Sequence, residues 1–296
     1  MLNNLRKRVV HTIASRHIAG REIGDALRVC RWAQTNAYRV ILSPWRSPDD
    51  SAKNMIARYK EAMRVISDER LDGYVSLKLN AIDSDMGMFR ELVSMARSAN
   101  VRLHLDSLGP DSANASFEFL EDAVSDYRNI GTTLPARWRR SLEDADRVYE
   151  LGIPVRIVKG QWPDLDDPRL DCRKNYLDIA HRFAGRGIHV GIATHDYSLA
   201  SRTSSLFKES GTSFELEQFF SLPLNTSSLA NRIGCGYRLY VAYGYPEVPY
   251  NVRFGISRPG IIGWVVKDFA VRNRKPWEKS PSSIHEVADT TDRTVS

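Results

Sequence analysis

Between residues 36 and 272, eight short runs rich in β-branched residues alternate with longer stretches of helical periodicity. The predicted strands are Tyr38–Leu42, Tyr74–Leu79, Val101–Asp106, Asn129–Leu134, Pro154–Lys159, Ile188–Ala193, Ser213–Phe219 and Tyr237–Ala242. The predicted helices are Ala52–Ile66, Gly87–Ala99, Ser116–Asp126, Trp138–Leu151, Arg173–Ala184, Tyr197–Glu209, a weaker one near Ser227–Ile233, and Tyr250–Val271. Asn100, Gly152 and Gly187 stand where helix stop signals are expected. Strand–helix alternation implies parallel strands joined by right-handed crossovers. Eight such units in ~240 residues are what an α/β fold of the (β/α)8 barrel, or TIM, type requires. A doubly wound open sheet is the alternative. It more often carries a Gly-rich turn after an early strand, and here the first strand runs into Leu42-Ser43-Pro44-Trp45.

Two flanking segments complete the expected organisation. Residues 1–35 read as an N-terminal helical arm, basic over Leu2–Ala19, and residues 273–296 as a polar, disordered tail around the 36–272 barrel. No run of about 18 apolar residues is present to span a membrane. No secretory signal is visible, and Cys30, Cys172 and Cys235 are too scattered for a disulfide framework, so a cytoplasmic setting is expected. The net charge of +6 fits an anionic cofactor or a membrane surface without selecting either, and no motif points to nucleic acid.

In a barrel of this kind chemistry gathers at the C-terminal strand ends. Lys78 and Asp106 fall at such ends, inside apolar runs where an unpaired charge is costly. The fifth strand brings Arg156, Lys159 and Gly160, and the sixth ends in Thr194, His195 and Asp196. The seventh carries Glu215, Glu217 and Gln218, the eighth Arg238 and Tyr240, and the helix beyond it Tyr250 and Arg253. Strand alternation puts Arg156 and Val158 on one face, and Val155, Ile157 and Lys159 on the other. A structural ion pair between Lys78 and Asp106 is a bland alternative for those two. The convergence of ionisable groups at one end favours a site, and its surplus of cations suits a ligand bearing phosphates and a carboxylate. His195 has no partner at metal-ligand spacing and no Cys pair exists, which argues against a metal. His104 shares the face of Asp106 and reads as a core histidine.

The order and spacing of several segments resemble the proline dehydrogenase family, flavin enzymes on a distorted (β/α)8 barrel, over about residues 20 to 272. The most specific stretch is Ile130 to Lys159, with the glycine that follows: Ile-Gly-Thr-Thr-Leu-Pro-Ala, then Arg-Arg-Ser-Leu-Glu-Asp-Ala, then Gly-Ile-Pro-Val-Arg-Ile-Val-Lys-Gly. It is similar to the family's Arg-Leu-Val-Lys-Gly-Ala-Tyr strand after a comparable helix. Ala-Thr-His-Asp at 193–196 resembles an Ala-Thr-His-Asn, and Phe-Glu-Leu-Glu-Gln at 214–218 a Phe-Glu-Phe-Gln. Arg-Leu-Tyr-Val at 238–241 resembles an Arg-x-Tyr-x-Pro strand, and the stretch from Tyr250 to Pro259 a Tyr-x-x-Arg-Arg-x-x-Glu-Arg-Pro helix.

The resemblance implies an FAD cofactor and oxidation of the C–N bond of proline, or a proline-like cyclic amine, to an imine. It implies that Lys78 and Asp106 sit beside flavin ring and substrate, that Arg156 reaches the flavin near its reactive nitrogen, and that Lys159 and Gly160 hold the ribityl-phosphate side. Thr194 and His195 would contact the pyrophosphate, Tyr240 and Tyr250 would wall the substrate ring, and Arg253 would bind its carboxylate. Catalytic duty thus falls on Lys78, Asp106, Arg156 and Tyr240. Quinone is the electron acceptor the resemblance suggests, with peripheral contact at the inner membrane.

The departures are coherent. Phe254 replaces the family's second arginine, and Ser257 the glutamate that orients the pair; losing both avoids stranding either. Leu108, Pro135 and Gln161-Trp162 depart at other positions: Leu108 for an acidic residue, Pro135 for a flavin-contacting Gln, and Gln161-Trp162 for Ala-Tyr. A substrate other than free L-proline is therefore expected: a modified proline, another cyclic amine, or a prolyl group that is esterified or carrier-bound. Two further readings stand beside this one. In the first, Lys78 or Lys159 forms a Schiff base with a carbonyl substrate on a flavin-free barrel of the aldolase or lyase type. The second is a non-catalytic, ligand-binding relative.

Overall fold

The computed structural model describes residues 18–245, except positions 163 and 223. The basic segment before residue 18, the predicted helix Tyr250–Val271 and the polar tail lie outside the described residues. A helix α1 (Ile23–Thr35) precedes β1 (Arg39–Trp45). Then follow α2 (Ala52–Asp68), β2 (Gly73–Leu77), α3 (Met86–Ala99), β3 (Arg102–Leu105), α4 (Ala113–Val124), β4 (Ile130–Pro135), α5 (Ser141–Leu151) and β5 (Val155–Val158). The chain continues through α6 (Cys172–Phe183), β6 (Val190–Ala193), α7 (Tyr197–Glu209), β7 (Phe214–Phe219), α8 (Ser227–Ile233) and β8 (Gly236–Gly244). Single 3-10 turns at Leu79–Ile82 and Pro110–Ser112 lie in the loops after β2 and β3.

The strands close in sequence order into an all-parallel barrel, β8 pairing with β1 from Arg39↔Arg238 to Trp45↔Gly244. This is the (β/α)8 architecture the alternation predicts. Side-chain oxygens start the helices that follow: Ser51 accepts from the Asn54 N–H at 3.2 Å, Asp85 from Met88 at 2.7 Å, and Asp171 from Arg173 at 2.9 Å. Asn100 and Gly152 close α3 and α5 in left-handed conformations, as expected of stop residues. Gly187 lies beyond the end of α6, which stops at Phe183.

Pro44 and Pro135 fall inside strands, where a missing N–H normally costs a ladder bond. Each sits where pairing on one side has already ended: β1–β2 stops at Leu42↔Val75, and β3–β4 at Leu105↔Thr132. That geometry carries β1 and β4 past their predicted ends.

The helix-facing sides of the strands are apolar and buried, with Val40, Leu42, Val75, Leu77, Val155, Ile157, Val190 and Ile192 all at or below 2% exposure. The barrel interior is instead strongly polar, unlike the branched aliphatic layers usual for this fold. At its N-terminal end, fully buried Glu215 accepts from Arg238 Nε at 2.7 Å and Arg39 Nη1 at 2.9 Å, with His189 Nε2 at 3.5 Å and Arg102 at 3.8 Å. Glu215 and Arg238, two of the candidate site residues, therefore belong to the closed end of the barrel and away from the strand C-termini. Burial raises the Glu215 pKa, but His189 and Arg238 outweigh it and hold the carboxyl well below its usual range.

Removing that carboxylate leaves Arg39 and Arg238 with only the more exposed Asp72 carboxylate and, for Arg238, the Val40 and Asp72 carbonyls, so Glu215→Gln should cost about 3 kcal/mol in urea unfolding. The depressed pKa also fixes the sign of the acid response. The contribution of Glu215 is complete above the unfolded-state value near 4.5 and is lost as pH falls toward the lower folded value. The fall in urea midpoint below about pH 4.5 should be shallower in Glu215→Gln than in the parent; equal slopes would place the acid sensitivity elsewhere.

Candidate active site

Parity along β5 turns Arg156 into the barrel and packs Val155 and Ile157 under the helices, as the alternation predicts. The Arg156 side chain is 6% exposed. Nη1 donates to Asp106 Oδ1 at 2.8 Å, and Nη2 donates to the Tyr74 hydroxyl at 3.2 Å and Ser76 Oγ at 3.3 Å. Nε lies 2.8 Å from Glu217 Oε2, an ion pair in which the N–H direction misses the oxygen. Glu217 Oε1 accepts from Tyr74 at 2.7 Å, and a Cβ on Gly191 would stand 2.6 Å from that same oxygen, so the carboxylate fills the space a side chain on β6 would need.

Asp106 follows β3 and collects three donors. Oδ1 takes Arg156 and Ser76 Oγ, the latter at 2.6 Å, and Oδ2 takes the Tyr240 hydroxyl at 2.7 Å. The alternative pairing with Lys78 is thus replaced by Arg156, Ser76 and Tyr240. The phenol has one proton, and the carboxylate is its stronger acceptor; Ser43 Oγ, also 2.7 Å away, then donates to the phenol oxygen. Burial, reinforced by the Asp106 charge, pushes the Tyr240 pKa well above the usual phenol range, so the group stays a donor. Lys78 follows β2, with Nζ 4.4 Å from the centroid of the Trp45 ring. Tyr240 stacks on Phe219 at 5.3 Å, and Phe219 meets Trp45 at 6.2 Å, forming an aromatic wall across β8, β7 and β1. Beneath this layer His104 shares Nε2 with Thr133 Oγ1 at 3.0 Å. Burial, then the charges of Arg156, Arg102 and Arg238, hold it neutral with a pKa well below the usual value.

A second group lies after β5 and β6. Lys159, opposite in parity to Arg156, emerges at the rim and donates to Asp196 Oδ2 at 2.9 Å; Arg173 from α6 pairs with the same oxygen. The other Asp196 oxygen caps α7 by accepting from Leu199 at 3.1 Å, and the Asp196 N–H donates to Thr194 Oγ1 at 3.1 Å. Gly160 has φ +83, and a Cβ there would meet Pro135 Cβ at 2.7 Å, so this turn admits only glycine. Pro135, at the position expected to hold a flavin-contacting Gln, is the residue against which that glycine packs. His195 is joined at Nδ1 to Gln218 Nε2 at 2.7 Å. Burial, then the Lys159 charge, lowers its pKa to about 4.

The structure therefore joins Asp106, Arg156 and Tyr240 directly, and gathers Lys159, Gly160, Thr194 and His195 into a separate group along the β5–β6 rim. Tyr250, Arg253, Phe254 and Ser257 lie outside the described residues. Tyr74, Ser76 and Arg173 were not singled out from sequence, and Glu217 was noted without a role. For Glu217 the signal existed: it alternates with Glu215 in Phe-Glu-Leu-Glu, so both carboxylates must face the interior that receives Arg156. Arg173 offers no such pattern, since it reaches Asp196 from a helix. Among the described residues no group of three or more His, Cys, Asp or Glu side chains is placed to hold a metal ion, and no helix is long and apolar enough to cross a membrane.

The chain is 23% identical over 270 residues to proline dehydrogenase 2 of Bacillus subtilis, covering 86% of this chain and 89% of that one. It is 24% identical over 273 residues to proline dehydrogenase 1 of the same organism, with the same coverages. Among solved structures, proline utilization A (PutA) from Bdellovibrio bacteriovorus, inactivated by N-propargylglycine, matches at a TM-score of 0.74 and 17% identity over 91% of this chain. Proline utilization A of Bradyrhizobium japonicum matches at 0.62 and 17% over 80%. This chain spans 35% and 29% of the lengths of those two larger proteins. No family model matches the chain.

The two cation groups should respond differently to mutation. Arg156→Lys replaces a planar fork engaged on several sides by a point charge, and should cost about 3 kcal/mol in urea unfolding. Lys159→Ala removes a side chain 37% exposed to solvent, and its ion pair should contribute under ~1 kcal/mol. Equal losses would contradict the burial contrast.

Proposed function

We propose that this chain, a divergent relative of the proline dehydrogenases, is a flavin-dependent oxidoreductase that removes a hydride and a proton across the C–N bond of a proline-like cyclic amine, leaving an imine. The observation that carries the reading is the Asp106–Arg156–Tyr240 cluster: a buried guanidinium, a carboxylate and a protonated phenol joined by bonds of 2.7 and 2.8 Å beside an aromatic wall. Such a cluster is costly to bury, and Asp106 follows the C-terminal end of β3 while Tyr240 is at the midpoint of β8.

The rim residues fit a phosphate-bearing cofactor. Lys159 and Arg173 share a single carboxylate oxygen, so their donors outnumber the acceptor they meet there, and the glycine at 160 keeps the backbone turn free of a side chain. Lys159, Gly160, Thr194 and His195 would hold the pyrophosphate side of FAD, with Arg156 and Asp106 toward its ring system. FAD, when bound, supplies the hydride acceptor. Tyr240, fixed by Asp106 and Ser43, walls the substrate ring and keeps its proton. Lys78, its Nζ over the Trp45 ring, would face a carboxylate or carbonyl oxygen of the substrate. The resemblance gives Tyr250 and Arg253, which lie outside the described residues, the remaining substrate contacts, and a quinone-type acceptor would take the electrons onward.

Phe254 and Ser257 narrow the substrate. A buried free carboxylate needs paired charge, and with one arginine in place of two the reading favours a proline whose carboxylate is modified, esterified or carrier-bound.

A visible spectrum of the purified protein, followed by anaerobic L-proline, tests the reading. Flavin absorbance that bleaches slowly or not at all with L-proline, but bleaches with a proline ester, is expected. A protein that takes up no FAD on reconstitution would overturn it. The double change Phe254→Arg with Ser257→Glu should raise free-proline turnover at least ~10-fold, the equivalent of one regained charge-assisted contact; no change would count against the carboxylate argument.

A further inference from the structure

His195 is a rim residue whose partner lies in the outer layer of the barrel. Gln218 points away from the interior occupied by Glu217 and is 2% exposed. Its amide spans two groups: Nε2 lies 2.7 Å from His195 Nδ1, and Oε1 accepts the Tyr237 hydroxyl in a short bond. An amide can be turned end for end, so two hydrogen-bond arrangements are open to it. In the first, Tyr237 donates to Oε1, and Nε2 donates to Nδ1. The phenol proton and the amide proton facing His195 then both have acceptors. In the second, Nδ1–H donates to Oε1, and Nε2 donates to the Tyr237 oxygen, which leaves the phenol proton needing another acceptor. The other hydroxyl beside Tyr237, Thr226 Oγ1, stands outside hydrogen-bond geometry. The second arrangement therefore buries an unsatisfied donor, which the first avoids.

We infer that Gln218 is a positioning residue that fixes His195 as the neutral imidazole protonated on Nε2, so that the ring presents a donor to an anionic ligand at the β6–α7 turn. The two ring nitrogens diverge, so with Nδ1 bound to Gln218 the Nε2–H projects away from it. The charges around the ring agree with a neutral donor. Lys159 already supplies positive charge nearby, and the adjacent Asp196 carboxylate is taken by Lys159 and Arg173. A lone pair on Nε2 would repel a phosphate oxygen, whereas an N–H attracts it without adding a further buried cation. The ligand is the pyrophosphate of FAD if the functional reading above is right. The tautomer itself does not depend on that reading.

The test is 15N NMR of the histidine side chains in the ligand-free protein at neutral pH, with His195 assigned through its loss in His195→Asn. Nδ1 is expected in the unprotonated, pyridine-like range and Nε2 in the protonated, pyrrole-like range. Gln218→Glu keeps the shape and the Tyr237 acceptor but replaces the amide donor with a carboxylate, so Nδ1 should acquire a proton; a merely space-filling Gln218 would leave the spectrum unmoved. A protonated Nδ1 in the parent protein, or an unchanged Nδ1 in Gln218→Glu, would overturn the assignment. Gln218→Leu, which leaves the ring free to exchange tautomers, should weaken FAD binding about fivefold by flavin fluorescence, less than the loss of a whole hydrogen bond to a charged group. FAD binding as tight as in the parent would remove the positioning role. Failure of the parent to bind FAD would strike the functional reading and leave the spectra to judge the tautomer.

Discussion

Arg156 places a guanidinium inside the barrel, where desolvation would be prohibitive without partners on every side. Two carboxylates, two hydroxyls and the geometry of three other strands are committed to it: Asp106 after β3, Glu217 on β7, and Tyr74 and Ser76 on β2. Their mutual attraction in a low-dielectric interior offsets the cost of burial because both terminal nitrogens of the fork are hydrogen-bonded and its Nε lies against a second carboxylate. The neighbouring choices follow. Gly191 is bare because Glu217 occupies the volume its Cβ would take. Gly131 is bare because a Cβ would come within 2.6 Å of His104 Nδ1 and 2.8 Å of the Pro154 carbonyl. Tyr240 stays protonated because burial, then the Asp106 charge, raises its pKa.

The barrel contains two charge clusters with opposite balance. Around Arg156 one guanidinium meets two carboxylates. At the closed end Glu215 meets Arg39 and Arg238 closely, with Arg102 and His189 somewhat farther away. Tyr74 stands between them, its ring 5.8 Å from the Arg156 guanidinium, 4.9 Å from that of Arg238 and 3.7 Å from that of Arg102. An aromatic face shared by three cations links the two layers without adding a formal charge. The lower cluster lies at the N-terminal end of the barrel, whereas the upper one holds the groups proposed for chemistry.

Much of this was legible in the sequence because two periodicities carry it. Apolar runs marked all eight strands, and alternation within Val-Arg-Ile-Val-Lys separated Arg156 from Lys159. Strand periodicity could not show depth along the barrel. Glu215 and Arg238 looked like mouth residues, although each lies near the start of its strand and belongs to the closed end. Contacts between distant strands were equally hidden. Nothing local in Ser-Phe-Glu-Leu-Glu says that Glu217 will meet an arginine on β5 and a tyrosine on β2, because only closure of the barrel brings those strands face to face. Arg173 was invisible for a related reason, since it acts from a helix; Gln218 was noted with Glu215 and Glu217, but its place in the outer layer, outside the inward-facing pattern, hid its partners.

The two strand prolines bear on how such a barrel behaves among other chains. Closure leaves no free edge along the sides, but strand ends that outrun their neighbours are short edges in their own right. Pro44 and Pro135 occupy two of these ends, and the Pro135 carbonyl is already taken by Ser141 Oγ at 2.7 Å. A foreign strand laid along either end would find no N–H at the proline to pair with. The rim that has to admit a small molecule is in this way chemically poor in the one feature that would let another polypeptide zip onto it.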